Sequence, residues 1–94
     1  MSAPDAGFEV LASADPERFT VLFGDGRVYT ATLAHRTRRG LGLHGVAPVR
    51  IAHELVALIV ENGRWPESDD EVVLVAVAGA MPGGFTEELR ARLA

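Results

Sequence analysis

The residues best suited to chemistry form one string, Arg36-Thr37-Arg38-Arg39-Gly40-Leu41-Gly42-Leu43-His44-Gly45. Its arginines offer forked donors that match phosphate oxygens, and Gly40, Gly42 and Gly45 let backbone amides come close to an anion. The string also holds a literal G-x-G-x-x-G between a predicted strand and a predicted helix, the setting of a dinucleotide fingerprint. Several details oppose that fingerprint. Residues 35–39 intervene before Gly40, Pro48 opens the helix only after Gly45, and the preceding strand is predicted to pair antiparallel. The next strand ends at Ala78-Gly79, with no acid to hold a ribose. Two readings remain for Arg36, Arg38, Arg39, Gly40, Gly42, His44 and Gly45: a looser phosphate or anion site, and the plainer one of a solvated connecting loop.

The charge layout keeps the first alive. The formal net charge is -4, yet the stretch from Gly26 to His53 contains no acid, five arginines and all three histidines. A nucleic-acid backbone is the broader version of the same ligand, with Tyr29 or Trp65 available to stack on a base. A sequence pI of about 5.2 and a single tyrosine and tryptophan weigh against it.

Other chemistries fare worse. With no cysteine and no lysine, disulfides, thiolate metal sites, thiol catalysis and Schiff-base catalysis are excluded. His35, His44 and His53 recur at equal steps but fall on a strand end, a loop and a helix, so no metal site is expected. Ser2, Ser13 and Ser68 lie in polar connections, none in a nucleophile elbow. Asp69-Asp70-Glu71 lacks the alternating spacing of a calcium loop. No cofactor is expected, and an enzyme of any class ranks third among the readings. Trp65, in Gly63-Arg64-Trp65-Pro66, either folds back on the core or anchors an interface, where tryptophan and arginine concentrate binding energy.

These residues need a scaffold, and 94 residues suffice for one small domain, 1–94, with 1–7 as a flexible N-terminus. At 48% apolar and 23% charged, the chain has enough apolar surface to fold. Its longest nearly uncharged run, Val72 to Phe85, is broken by Gly79, Pro82, Gly83 and Gly84, short of the roughly 20 residues of a membrane span. The first seven residues carry no basic or apolar leader, which makes a cytoplasmic address the expectation.

Phe8 to Ala12 fits a short edge strand. Phe19 to Phe23 and Arg27 to Ala34 flank Gly24-Asp25-Gly26, the signal of a hairpin. A three-residue turn with Gly26 at positive φ sorts Phe19, Val21 and Phe23 with Tyr29, Ala31 and Leu33, and sends the threonines to the other face. Pro48 begins and Asn62-Gly63 ends a helix whose polar stripe is only Arg50, Glu54 and Glu61, so it is expected to meet a second surface, either the last helix or another subunit. Glu71 to Ala78 reads as an interior strand covered on both faces. Thr86 is the expected N-cap of a last helix with acids early, arginines late and an apolar stripe of Phe85, Leu89 and Leu93.

The predicted fold is a two-layer α+β sandwich, ββαβα with a possible extra N-terminal strand. The apolar first helix, the two-sided strand and the last-helix stripe exceed what so short a chain can cover. The leading functional reading is therefore a non-enzymatic binding or regulatory module that self-associates as a homodimer, with Trp65, Phe85, Leu89 and Leu93 as interface residues. Another protein is a further possible partner, and the arginine–glycine loop as an anion or nucleic-acid site is the alternative.

Overall fold

The computed structural model describes residues 7–43 and 45–94. Three short strands, β1 (Phe8–Ala12), β2 (Arg18–Phe23) and β3 (Val28–Thr32), form an antiparallel meander because each connection is a turn. Ser13 and Asp15 shape the first turn: the Asp15 carboxylate accepts the Glu17 N–H at 2.9 Å, and the Ser13 hydroxyl donates to the Arg18 carbonyl at 2.9 Å. In the second turn Gly26 sits at φ +96°, a region an L side chain avoids, and the Phe23 N–H donates to the Arg27 carbonyl at 2.9 Å. The expected register results: Phe19 faces Ala31, Val21 faces Tyr29, and all four are buried, while Thr20, Thr30 and Thr32 lie on the opposite face.

The chain then crosses over through helices α1 (His35–Gly40) and α2 (Pro48–Glu61) to β4 (Glu71–Val73), which pairs parallel to β3. Pro48 stands at the start of α2, where its missing N–H is no loss. At the far end Gly63 adopts φ +67°, its N–H donates to the Val60 carbonyl and the Arg64 N–H to the Ile59 carbonyl, both at 3.0 Å. This double closure satisfies carbonyls that a helix end otherwise leaves open.

Two sequence expectations are corrected here. The run Glu71–Ala78 is not an interior strand. It stays extended only to Val73, at the sheet edge, and continues as α3 (Leu74–Gly79), with Leu74 and Ala78 buried one turn apart. Apolar periodicity alone cannot separate a buried strand from a short buried helix. The stretch after β3 is likewise not all loop, because residues 35–40 wind into α1. The last helix, α4 (Thr86–Leu93), forms as expected, but Phe85 occupies the N-cap position and the Thr86 side chain makes no capping bond.

Helix α2 meets β1, α3 and α4, which supplies its second surface from within the chain. Ile51, Leu55, Val56 and Ile59 of α2 pack with Val21 and Leu33 of the sheet side, Leu74 and Leu89, all at 1% exposure or less. Arg92 of α4 fastens the layer: its guanidinium donates to Glu61 at 2.6 and 3.0 Å and to Glu88 at 3.0 Å, with Glu54 at 3.8 Å. The Glu61 hydrogen bonds hold the Arg92 guanidinium charged well beyond its ordinary range and hold the Glu61 carboxyl below its own. On the sheet's other face, with Glu9, Leu11, Thr20, Leu22, Val28, Thr30 and Val73, no helix lies among the described residues. Leu11, Val28 and Val73 stand 41, 59 and 55% exposed.

Candidate functional site

The arginine–glycine string divides when placed in the fold. Arg36 and Arg39 are exposed on α1, whereas Arg38 on the same helix is buried, with 7% of its surface accessible. One Arg38 terminal nitrogen donates to His35 Nδ1 at 2.7 Å, and its Nε–H has no partner among the described residues. Because arginine can only donate, His35 accepts this bond through Nδ1. The Glu17 carboxylate accepts the His35 backbone N–H at 2.6 Å, closing one of the open donors at the start of α1. Arg38 is thus an internal strut and not a free phosphate ligand. Gly40 ends α1, Gly42 turns at φ +74°, and Gly45 is exposed; His44 lies outside the described residues. From α4, Arg90 donates to the Leu41 carbonyl at 3.0 Å and pins the turn.

Two other members of the cationic stretch are accounted for differently. Arg27 is paired with Asp25 at 2.7 Å and Glu67 at 3.3 Å, and its guanidinium lies 5.0 Å from the centre of the Phe23 ring. A backbone hydrogen bond from Arg27 leads the causes that draw the Asp25 carboxyl below its ordinary range. Arg50 is exposed in the first turn of α2. Among the described residues, Arg36, Arg39 and Arg50 have no carboxylate within ion-pair distance, in contrast to Arg18, Arg27 and Arg92.

Trp65 folds back on the core. Its ring lies 5.3 Å from Phe23 and 5.2 Å from Tyr29, both edge-on, and its indole N–H is buried without a partner among the described residues. A small hollow of about 140 Å³ opens beside it, lined by Phe23, Arg27, Val60, Gly63 and Glu67. Tyr29 is 5% exposed, so it cannot stack on a base. Leu89 and Leu93 are buried against the rest of the chain and Phe85 is half-buried, so the stripe expected at an interface is consumed internally. Helices α2 and α4 leave less apolar surface than the sequence suggests, because α2 is covered by α3 and α4 and the α4 stripe packs on α2.

Three further features stand out, of which the two clefts had no sequence signal because each joins distant segments. A cleft of about 340 Å³ lies at the carboxyl ends of the parallel pair β3 and β4, a common ligand position in such sheets. Asp15, Glu17, Arg18, Thr32 and Thr37 give it polar walls, and Ala34, Val73 and Val75 apolar ones. Its charged groups are engaged with one another or the backbone: Asp15 with the Glu17 N–H, Glu17 with His35, Arg18 with Glu71 at 3.4 Å. The second feature is the edge of β1, which no described segment covers. The third is an apolar cleft of about 170 Å³ beside that edge, lined mainly by Ala12, Pro16, Phe19, Pro48 and Val49.

Among the described residues no cluster of three or more His, Asp or Glu side chains is arranged to hold a metal ion, and no helix is long and apolar enough to cross a membrane. His53 stacks on Phe8 at 5.0 Å and lies 3.7 Å from the Glu54 carboxylate, at the border of α2. No protein-family model matches the chain, and neither a curated protein nor a solved structure matches it, so its chemistry is argued from its own geometry.

Proposed function

We propose that this chain is a non-enzymatic binding module that acts by self-association in the cytoplasm. The observation that carries the reading is the unclosed sheet. β1 has no neighbour on its outer side among the described residues, and Leu11, Val28 and Val73 share an uncovered face. A row of unpaired backbone groups along a sheet edge is a ready template for a further strand, and so marks an interaction surface. Light scattering from about 1 to 500 μM tests it: a rise toward twice the mass of 10.0 kDa is expected, and a constant monomer mass over that range refutes it.

A second reading rests on the exposed arginines of the cationic stretch that have no carboxylate partner among the described residues. Arg36, Arg39 and Arg50 would attract a polyanion by charge alone, with Arg38 taking no part. Replacing Arg36 and Arg39 by Ala is expected to weaken binding to a short DNA and to reduce its salt dependence by up to about two phosphate contacts. Unchanged binding in that double variant rejects the reading.

A further inference from the structure

We infer that two copies of this chain pair through the outer edge of β1, antiparallel and about a two-fold axis at Val10; the inference rests on the self-association proposed above. The backbone alternation of the ladder identifies which groups are free. The Phe23 N–H bonds to Arg27 of β3, so the backbone groups of Phe19, Val21 and Phe23 face β3, and those of Thr20, Leu22 and Gly24 face β1. Gly24 accordingly donates to the Gly7 carbonyl at 2.8 Å, and Leu22 and Thr20 stand opposite Glu9 and Leu11. The N–H and C=O groups of Phe8, Val10 and Ala12 therefore point away from the sheet.

An exposed row of this kind templates another strand unless it is guarded. β1 lacks the usual guards: it contains no lysine or proline, its one-to-one register has no bulge, and Glu9 is its only charge. The opposite edge differs, because β4 is three residues long and runs straight into α3.

The occupant that fits is a second copy. Centred on Val10, the pairing sets Phe8 opposite the partner's Ala12 and Glu9 opposite the partner's Leu11. Three residues on each strand then exchange about six N–H···O=C bonds. Centred on Glu9 instead, the two carboxylates would be directly opposed, which is unfavourable. Centred on Leu11, only two of the three outward-facing residues would find partners. The Val10 register also brings each Phe8 to the mouth of the apolar cleft beside the partner's Ala12, twice by symmetry. His53, stacked on Phe8, travels with it toward the polar rim of the cleft, where Ser13 and Asp15 of the partner stand. One strand pair with its cleft is smaller than the roughly 800 Å² per partner of a stable dimer, so weak association, on the order of 100 μM, is expected.

The test combines sedimentation of the full chain with amide hydrogen exchange. Ala12→Pro removes an outward-facing N–H that the β1–β2 ladder does not use, and Ala76→Arg places a charge on the exposed side of α3, beyond the opposite sheet edge. The expected result is at least tenfold weaker association for Ala12→Pro, unchanged association for Ala76→Arg, and protection of the Phe8, Val10 and Ala12 amides that grows with wild-type concentration. Wild-type dimers whose three amides exchange freely overturn the edge inference even if Ala12→Pro fails to fold, and they leave self-association standing. Protection independent of concentration means that the edge is covered within one chain and also overturns it. A wild-type monomer throughout refutes both.

Discussion

Replacing Arg38 by methionine isolates the energetics of the one buried arginine. The side chain is 7% exposed, donates one described side-chain hydrogen bond, to His35 Nδ1, and leaves its Nε–H without a described partner. Methionine keeps the unbranched stem and the helix propensity, so packing along α1 is largely retained. The change removes a hydrogen bond from a charged donor, worth roughly 1.5–3 kcal/mol, and exposed His35 can turn to water instead. It also removes a buried unsatisfied N–H, which costs about 1–3 kcal/mol, and a guanidinium desolvation penalty of several kcal/mol. The balance runs from neutral to about 3 kcal/mol stabilising, and each kcal/mol raises Tm by roughly 4–8 °C in a domain of this size. Thermal and urea unfolding of wild type and Arg38→Met at pH 7 is the assay. A fall in Tm of about 5 °C or more would refute the reasoning, because the guanidinium would then be making interactions stronger than its single imidazole contact. Arg38→Ala, which also removes the stem, is expected to be the less stable of the two variants in the same assay.

Two further outcomes follow from the helical layer. Arg92→Gln is expected to lower stability at neutral pH by about 1 kcal/mol, a figure held small because the partner carboxylates are largely exposed. Since the Glu61 carboxyl is drawn below its ordinary range, the stabilisation is complete above the usual carboxylate range of about 4 and is lost as pH falls through its lowered value. The gap between wild type and Arg92→Gln in urea midpoints should therefore close in acid; a gap that stays constant down to pH 2 would contradict this. Leu89→Ala empties a fully buried site between α4 and α2 and is expected to cost roughly 2–5 kcal/mol, a large part of a net stability of about 5–15 kcal/mol. A urea midpoint unchanged from wild type would place Leu89 outside the core.

The parts of the fold written in local chemistry were readable. Gly26 and the sorting of Thr20, Thr30 and Thr32 set the hairpin register, and Pro48 with Asn62-Gly63 bounded α2, because each signal lies within the element it controls. The switch from strand to helix at Val73–Leu74 was not readable, since the choice depends on Leu74 and Ala78 finding the surface of α2, many residues earlier in the chain. Site chemistry divided in the same way. The string of arginines was visible, but which of them faces inward depends on α1, where the i, i+3 spacing of His35 and Arg38 becomes a contact only once the segment is helical. The cleft at the ends of β3 and β4 draws on Asp15, Thr32, Thr37 and Val73, spread over more than half of the chain, and no short motif announces it.

The parallel pairing of β3 with β4 makes the molecule unequal in time as well as in space. The meander closes through turns of a few residues, whereas Thr30 and Glu71 must meet across about 40 residues, at a chain-closure cost of about 3 kcal/mol before any contact repays it. The segment from β4 through α4 is accordingly expected to dock last and detach first, as a sub-global unit resting on Leu74, Ala78, Leu89, Leu93 and the Arg92 clamp. When it lifts, the far flank of α2 is bared while the three-stranded meander is still intact. Proteolytic clipping and aggregation of this chain would therefore begin in the C-terminal segment from β4 onward, at a free energy below that of global unfolding.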